Sequence, residues 1–139
     1  MTRHPAKPLF RRQAYTIALL LLTLPLADSA GAQSASLEGS WSGGGSVTFT
    51  SGEREAAQCR AHYIRTSSTT YVLRATCATA SGRASQTGTL RHVGGNNYQG
   101  SFHNSEYDVS GTIYVAVAET RQTVRLISGA GTASFEFRR

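Results

Sequence analysis

The residues most able to bind a metal in this sequence are its histidines. Beyond the N-terminal region they are His62, His92 and His103. A metal site needs several His, Cys or carboxylate ligands that converge on one ion. In the strand register described below, His92 and His103 face opposite sides of one sheet, and His62 lies on an earlier strand, on the face opposite Cys59. The sequence therefore predicts no metal and no cofactor.

Catalysis by a nucleophile or by paired carboxylates also lacks its usual residue pattern. No Gly-x-Ser-x-Gly elbow occurs for a serine hydrolase. Glu53 with Glu55, or Glu106 with Asp108, could supply the carboxylate pair of a glycoside hydrolase, but both pairs are predicted to lie at turns, where charge is expected for solvation alone. The glycines at 43–45 are not followed by the lysine and helix of a phosphate-binding loop. We therefore expect a protein that is not an enzyme.

Cys59 and Cys77 are the only cysteines of the chain. The stretch between them has a turn-like centre at residues 66–69, and a hairpin folded about it with a residue-number sum of 136 places the two cysteines directly opposite each other. A zinc or redox pair would be expected to show C-x-x-C spacing or a third cysteine. We predict a structural disulfide that stabilises the fold by about 3 kcal/mol.

Three arginines, Arg60, Arg74 and Arg91, fall on predicted outward positions of the second, third and fourth strands. Guanidinium groups bind phosphate and carboxylate well, so this face is a candidate surface for anionic sugars or lipid headgroups. A solvated face with charges spaced for solubility is the alternative, and both remain open. Residues 33–139 contain ten arginines, no lysine and seven acids, a net charge of +3. This net positive charge is low for a nucleic-acid-binding protein, and aromatic residues do not interleave with the arginines. Nucleic-acid binding is therefore not predicted.

The elements that must position these residues are strands. After Gln33, β-rich runs punctuated by Gly, Asn and Ser recur about every ten residues, and no helical period of apolar residues stands out. The connections are short, which favours sequential antiparallel hairpins. We predict strands near residues 40–50, 57–65, 70–79, 83–92, 97–103, 109–118, 122–128 and 132–138.

Glycines inside these strands indicate a sheet that curves. A hairpin with a three-residue loop at 94–96 pairs residues whose numbers add up to 190. This register sets Leu90 opposite Gly100 and Gly88 opposite Phe102. Eight such strands can close into an up-and-down antiparallel β-barrel wide enough for side chains or one small ligand. An open β-sandwich is the second choice. The inner face is predicted to present a set of apolar residues that would either line a ligand cavity or fill the core: Phe102, Ile113, Val115, Phe135 and Phe137.

The first 32 residues have the pattern of a cleavable signal peptide. Basic residues precede an apolar run from Ile17 to Leu26, and Ala30-Gly31-Ala32 supplies small residues before a cut at Gln33. A run of about ten apolar residues is too short to span a bilayer. We expect residues 33–139 to form a single β-barrel domain that is periplasmic or secreted, with no transmembrane anchor after cleavage. The Arg11-Arg12 pair leaves both the general secretory and the twin-arginine route open.

Residues 37–41 carry Gly-x-Trp at the start of the first strand, with Trp41 as the tryptophan. This resembles the entry motif of the lipocalin-like (calycin) barrels. The resemblance implies that Trp41 plugs one barrel end and that an arginine of the last strand, Arg138 or Arg139, stacks on its ring. The same start is similar to that of small periplasmic inhibitors of secreted metalloproteases, although their first cysteine comes sooner after the tryptophan. The chain as a whole resembles small exported, periplasmic proteins of Gram-negative bacteria.

Three functions are compatible with these features. The first is a non-catalytic periplasmic binding module for a small apolar molecule or an envelope component such as a glycolipid. The second is an interaction protein of the protease-inhibitor type, whose segment from Gln33 to Ser36 docks into a protease. The third is a structural envelope protein whose filled core binds nothing. The identity of the ligand or partner, the oligomeric state and whether the barrel is filled or hollow are left open by the sequence.

Overall fold

The computed structural model describes Thr2 and residues 36–139, and the described residues form eight strands and no helix. The predicted signal peptide and residues 33–35 of the proposed docking segment lie outside this range, apart from Thr2. A search of the described residues finds no helix that could span a membrane. The strands are β1 (Gly39–Phe49), β2 (Arg54–Arg65), β3 (Thr70–Thr79), β4 (Gly82–Gly94), β5 (Asn97–Asn104), β6 (Val109–Ala118), β7 (Arg121–Ser128) and β8 (Gly131–Arg138).

The eight strands form one closed barrel. Each strand pairs antiparallel with the next along the chain, and β8 returns to pair with β1, so the order around the barrel is the order in the sequence. The predicted up-and-down eight-stranded antiparallel barrel is confirmed, and the alternative of an open sandwich is wrong. Closure pairs the two strands that would otherwise be edges of the sheet.

Glycines allow this sheet to bend tightly enough to close. The predicted pairings of Leu90 with Gly100 and of Gly88 with Phe102 are both present. A Cβ atom added at Gly100 would lie 1.8 Å from the carbonyl oxygen of Thr89 on the neighbouring strand. Gly45 is equally crowded, 1.9 Å from the carbonyl oxygen of Ser134. Only a residue without a side chain permits such close approach of backbones.

The disulfide links β2 to β3 as predicted. Cys59 and Cys77 are directly opposite each other in the register, with Cα atoms 4.1 Å apart, and are bonded. Both side chains face the inside of the barrel and are buried. The bridge therefore belongs to the core of the barrel.

One end of the barrel, which we name the closed end, is where β1 begins and β8 ends. Trp41 lies there with 2% of its surface exposed, and its indole Nε1 donates a hydrogen bond to the carbonyl oxygen of Leu37 at 2.9 Å. The guanidinium carbon of Arg139 lies 4.4 Å from the centre of the Trp41 ring. Of the two arginines considered from the sequence, it is therefore Arg139, and not Arg138, that covers the tryptophan.

A buried polar pair crosses the barrel in the same half. The hydroxyl of Tyr63 on β2 donates to Gln122 Oε1 on β7 at 2.8 Å. Burial raises the pKa of Tyr63, so the phenol remains a neutral donor at physiological pH. Gln122 Nε2 is buried and finds no hydrogen-bond partner among the described residues. The polar atoms of this buried pair are therefore only partly hydrogen-bonded, and the Tyr63–Gln122 bond is the one that offsets the cost of burying them.

Replacing Tyr63 with phenylalanine should lower the free energy of unfolding by about 1–2 kcal/mol, because the remaining acceptor of Gln122 loses its partner. The double variant Tyr63→Phe/Gln122→Leu should be less destabilised than the sum of the two single variants, since it leaves no buried polar group behind. Urea unfolding of the four proteins measures this coupling. Strictly additive effects would show that the two side chains do not depend on each other.

Candidate functional site

A cavity of about 430 Å³ occupies the other end of the barrel, which we name the open end. The turns at 50–53, 80–81, 105–108 and 129–130 surround it. Its volume lies within the range of small-molecule sites in proteins, roughly 300–1,000 Å³. The apolar part of its wall comes from seven of the eight strands and from two turns, and includes Val47, Phe49, Cys77, Ala84, Phe102, Tyr107, Val109, Leu126, Ala130, Ala133 and Phe135.

The sizes of the inward side chains explain why one half is hollow. In the closed half the inward positions carry large residues that fill the interior, among them Trp41, Tyr63, Tyr71, Leu90 and Tyr98. In the open half the corresponding wall carries several small ones, including Ala84, Ser128, Gly131 and Ala133. Large side chains fill the centre of an eight-stranded barrel, whereas small ones leave room for a ligand.

The five residues predicted to face the interior are divided between these two halves. Phe102 and Phe135 line the cavity at the open end. Ile113 and Phe137 border a void of about 20 Å³ deeper in the barrel, which has room for a water molecule and not for a ligand. Val115 is buried and opposite Tyr98 and Val124, in the filled half. The barrel is thus filled at one end and hollow at the other.

Several polar side chains interrupt the apolar wall, and three of them carry a carboxylate or an amide: Glu55, Gln86 and Asn104. At the mouth, Glu55 Oε1 accepts a hydrogen bond from the Ser81 hydroxyl, while Glu55 Oε2 is buried without a partner among the described residues. Further along β4, Gln86 Oε1 is also buried and unpaired in this part of the chain. Gln86 lies directly opposite Asn104, whose Oδ1 accepts from the Tyr107 backbone amide at 3.1 Å. Two buried acceptor atoms on residues of the cavity wall therefore lack a hydrogen-bond partner among residues 36–139.

Glu55 differs from Glu106, another carboxylate at this end. Both oxygens of Glu106 accept from the Ser85 backbone amide, at 3.0 and 3.1 Å, and this bond lowers the pKa of Glu106. Glu106 thereby attaches the β5–β6 turn to β4 on the outside of the barrel. Glu55 points inward and is the only charged residue among the described residues that line the cavity.

Glu55 is not among the residues that the sequence predicts to face the interior. The sequence predicts Glu55 at a turn with Glu53, but β2 begins at Arg54, three residues before the predicted start at 57, so Glu55 belongs to the strand. The signal was present in the alternation of the strand, because Glu55 shares its side with Ala57 and Cys59. Gln86 lies inside the predicted strand 83–92 and shares its side with Gly88, and Asn104 is one residue beyond the predicted strand 97–103, but neither is among the residues predicted to face the interior.

Each of the three histidines lies within hydrogen-bonding distance of a different partner. His62 Nδ1 lies 2.9 Å from Ser40 Oγ, and His103 Nδ1 lies 2.8 Å from Ser110 Oγ, both on the outer face. His92 Nε2 lies 2.6 Å from the Gly95 carbonyl oxygen. Within residues 36–139 no three His, Cys, Asp or Glu side chains converge in a way that could hold a metal ion.

The predicted arginine face is only partly assembled. Arg60 and Arg74 are exposed and line a shallow groove on the outside of the barrel together with Arg138 and Arg139. No acidic residue from the described part of the chain lines this groove. Arg91 is exposed as well, but it lies opposite Thr70 and Gln99 and does not line the groove. The three arginines thus share the outer face without forming one site.

The fold resembles that of designed β-barrels of known structure. A redesigned β-barrel, mFAP1, bound to DFHBI matches with a TM-score of 0.63 and 16% sequence identity, over 74% of this chain and 94% of that chain. A second redesigned barrel bound to DFHBI, mFAP0, gives 0.62 and 15%, over 74% and 98%. A de novo designed fluorescence-activating β-barrel gives 0.58 and 17%, over 73% and 92%. At these identities the likeness concerns the fold alone. No protein-family model matches the sequence, and no curated protein matches it.

Proposed function

We propose that this chain is a non-catalytic binding protein of the periplasm that takes one small, largely apolar molecule into the cavity at the open end of its barrel. The observation that carries the proposal is the cavity itself: about 430 Å³ of space with a mostly apolar wall and a few polar groups. This is the usual composition of a small-molecule site, in which apolar contacts supply affinity and a few polar groups fix orientation.

The similar designed barrels support this proposal at the level of architecture. Two of them were solved with DFHBI bound, so a closed barrel of this kind is able to hold a small organic molecule. Binding in the present chain would exclude water from aromatic surface, such as that of Phe102 and Phe135, that now faces the cavity.

The periplasmic location is supported by two independent features. The N-terminal 32 residues have the sequence pattern of a signal peptide. The disulfide between Cys59 and Cys77 is of a kind that persists in oxidising compartments and is rare in the cytosol. The absence of catalysis rests on the sequence, which lacks the patterns of a nucleophile with its base and of a paired-carboxylate site.

A fluorescent apolar probe tests the proposal directly. N-phenyl-1-naphthylamine, which brightens in apolar surroundings, should bind the purified protein with saturation at one molecule per barrel. Ala84 lines the cavity on β4, so Ala84→Phe should weaken this binding about tenfold or more by occupying the space of the probe. Titration of the probe, followed by its fluorescence, measures both effects.

Ala78→Phe is the matched control for this experiment. Ala78 lies on β3 near the same end, but its side chain is exposed on the outer face. This variant should bind the probe as the wild type does. If the wild-type protein does not bind the probe, or if both variants bind it as the wild type does, the cavity is not a binding site and the proposal is wrong.

A further inference from the structure

We infer that the molecule held in this cavity is an organic cation, an apolar body that carries a protonated amine. The inference rests on the proposed function and adds the chemical class of the ligand. It is carried by one juxtaposition: the carboxylate of Glu55, with one oxygen unpaired, lies at the mouth of a cavity that is otherwise uncharged and rich in aromatic residues.

The hydrogen bonding of Glu55 determines what an occupant must offer. Its Oε1 accepts from the Ser81 hydroxyl, and its Oε2 is buried with no partner in residues 36–139. A carboxylate only accepts hydrogen bonds, so the group that completes it must be a donor. A buried charge without a partner is costly, and a cationic donor offsets that cost more fully than a neutral one.

The charges around the cavity select a cation over an anion. Glu55 is the only charged residue among the described residues of its lining, although residues 33–139 carry more arginines than acids. The arginine adjacent in sequence does not neutralise it, because Arg54 is exposed and its guanidinium donates to Ser46 Oγ at 2.8 Å. An anionic ligand would therefore meet repulsion at the mouth, and an amine would meet an unpaired acceptor.

The aromatic residues of the cavity suit the same class of ligand. Phe49 and Tyr107 are at the mouth with 36% and 58% of their surface exposed, and Phe102 and Phe135 lie deeper. Aromatic faces attract ammonium groups and also pack against apolar bodies. The amine is thus expected near Glu55, between the mouth aromatics, with the apolar part directed into the barrel.

Gln86 offers a second acceptor farther from the mouth. Its Oε1 is buried and unpaired within the described part of the chain, and it lies beyond Ala84 on the same inward side of β4. A ligand with a second donor on its body, such as a hydroxyl or an amide N–H, would satisfy this group as well. The lining therefore favours an amine at one end of the ligand and one further polar group along it.

Three probes that share a naphthalene body test the inference. They are 1-naphthylmethylamine, which is protonated at pH 7, the neutral 1-naphthalenemethanol, and the anionic 1-naphthaleneacetate. Calorimetry or competition with N-phenyl-1-naphthylamine gives their dissociation constants. We expect the dissociation constant of the amine to be lower than that of the alcohol by about tenfold or more, and the carboxylate to bind most weakly of the three.

Glu55→Gln removes the charge and keeps the shape of the side chain. In this variant the affinity for the amine should fall to that of the alcohol, while the affinity for the alcohol changes by less than about threefold. Glu53→Gln is the matched control, because it makes the same change of net charge two residues earlier, at a residue that does not line the cavity. It should leave the preference for the amine unchanged. Competition among the probes in the wild type needs no variant and covers the case in which Glu55→Gln fails to fold.

The outcomes separate this inference from the proposed function. If the alcohol binds, is blocked by Ala84→Phe, and the amine binds no better, the barrel is a binding protein and the inference is wrong. If the amine is preferred but Glu55→Gln keeps that preference, the inference is also wrong. If no probe binds the wild type, the proposed function fails and the inference fails with it.

Discussion

Replacing Trp41 with alanine is expected to lower the free energy of unfolding by about 4 kcal/mol. The indole is 98% buried at the closed end, where it fills the barrel and donates a hydrogen bond to the Leu37 carbonyl. Its removal would leave a large cavity, an unpaired carbonyl and an Arg139 guanidinium with no ring beneath it. Urea or thermal unfolding, followed by circular dichroism, measures the loss.

Phe49→Ala provides the comparison, because Phe49 is also an aromatic residue of β1 but is 36% exposed. Its loss should cost about 1 kcal/mol. If Trp41→Ala is too unstable to fold, Trp41→Phe should fold with an intermediate stability, since it keeps a ring and loses the hydrogen bond. A Trp41→Ala protein as stable as Phe49→Ala would show that the tryptophan does not hold the closed end together.

Removing the disulfide with Cys59→Ala/Cys77→Ala is expected to cost about 3 kcal/mol, because the bridge closes a loop between residues 18 apart in sequence. For a domain of about one hundred residues this corresponds to a fall in melting temperature of roughly 15 °C. The double variant is preferable to a single one, which would leave one thiol buried in the core. Thermal unfolding under oxidising conditions measures the shift.

The reducing agent dithiothreitol supplies an internal check on the disulfide. It should lower the melting temperature of the wild type to near that of the double variant, and it should leave the double variant unchanged. The expectation is contradicted if the wild type and the double variant melt at the same temperature without reductant. In that case the bridge would contribute nothing to the stability of the barrel.

Much of the strand pairing could be predicted from the sequence because turns and pairs constrain it together. The register of β2 with β3, in which paired residue numbers add up to 136, follows from one turn-like segment and two cysteines. The register of β4 with β5, in which they add up to 190, follows from a glycine-rich loop and two pairs of a large residue with a glycine. In each case a shift by one residue would move every side chain to the other face. The alternation along a strand thus fixes both the register and which residues face inward.

The division of the barrel into a filled and a hollow half could not be predicted in the same way. Alternation identifies inward residues, but it does not tell which of them share a level across the barrel. That depends on how far each strand is displaced along its neighbour as the sheet closes. Phe135 and Phe137 are two residues apart on the same face, yet only Phe135 lines the cavity. The end of a strand caused the error at Glu55, because a start at Arg54 in place of 57 places Glu55 on the strand and on its inward side.

The even number of strands has a practical consequence. Because β1 begins and β8 ends at the same end of the barrel, Arg139 lies beside Trp41, at the opposite end from the mouth of the cavity. Anchoring the protein to a sensor surface through a tag after Arg139 should therefore leave the mouth exposed to the flowing solution. Small molecules should then exchange as freely with the immobilised barrel as with the barrel in solution.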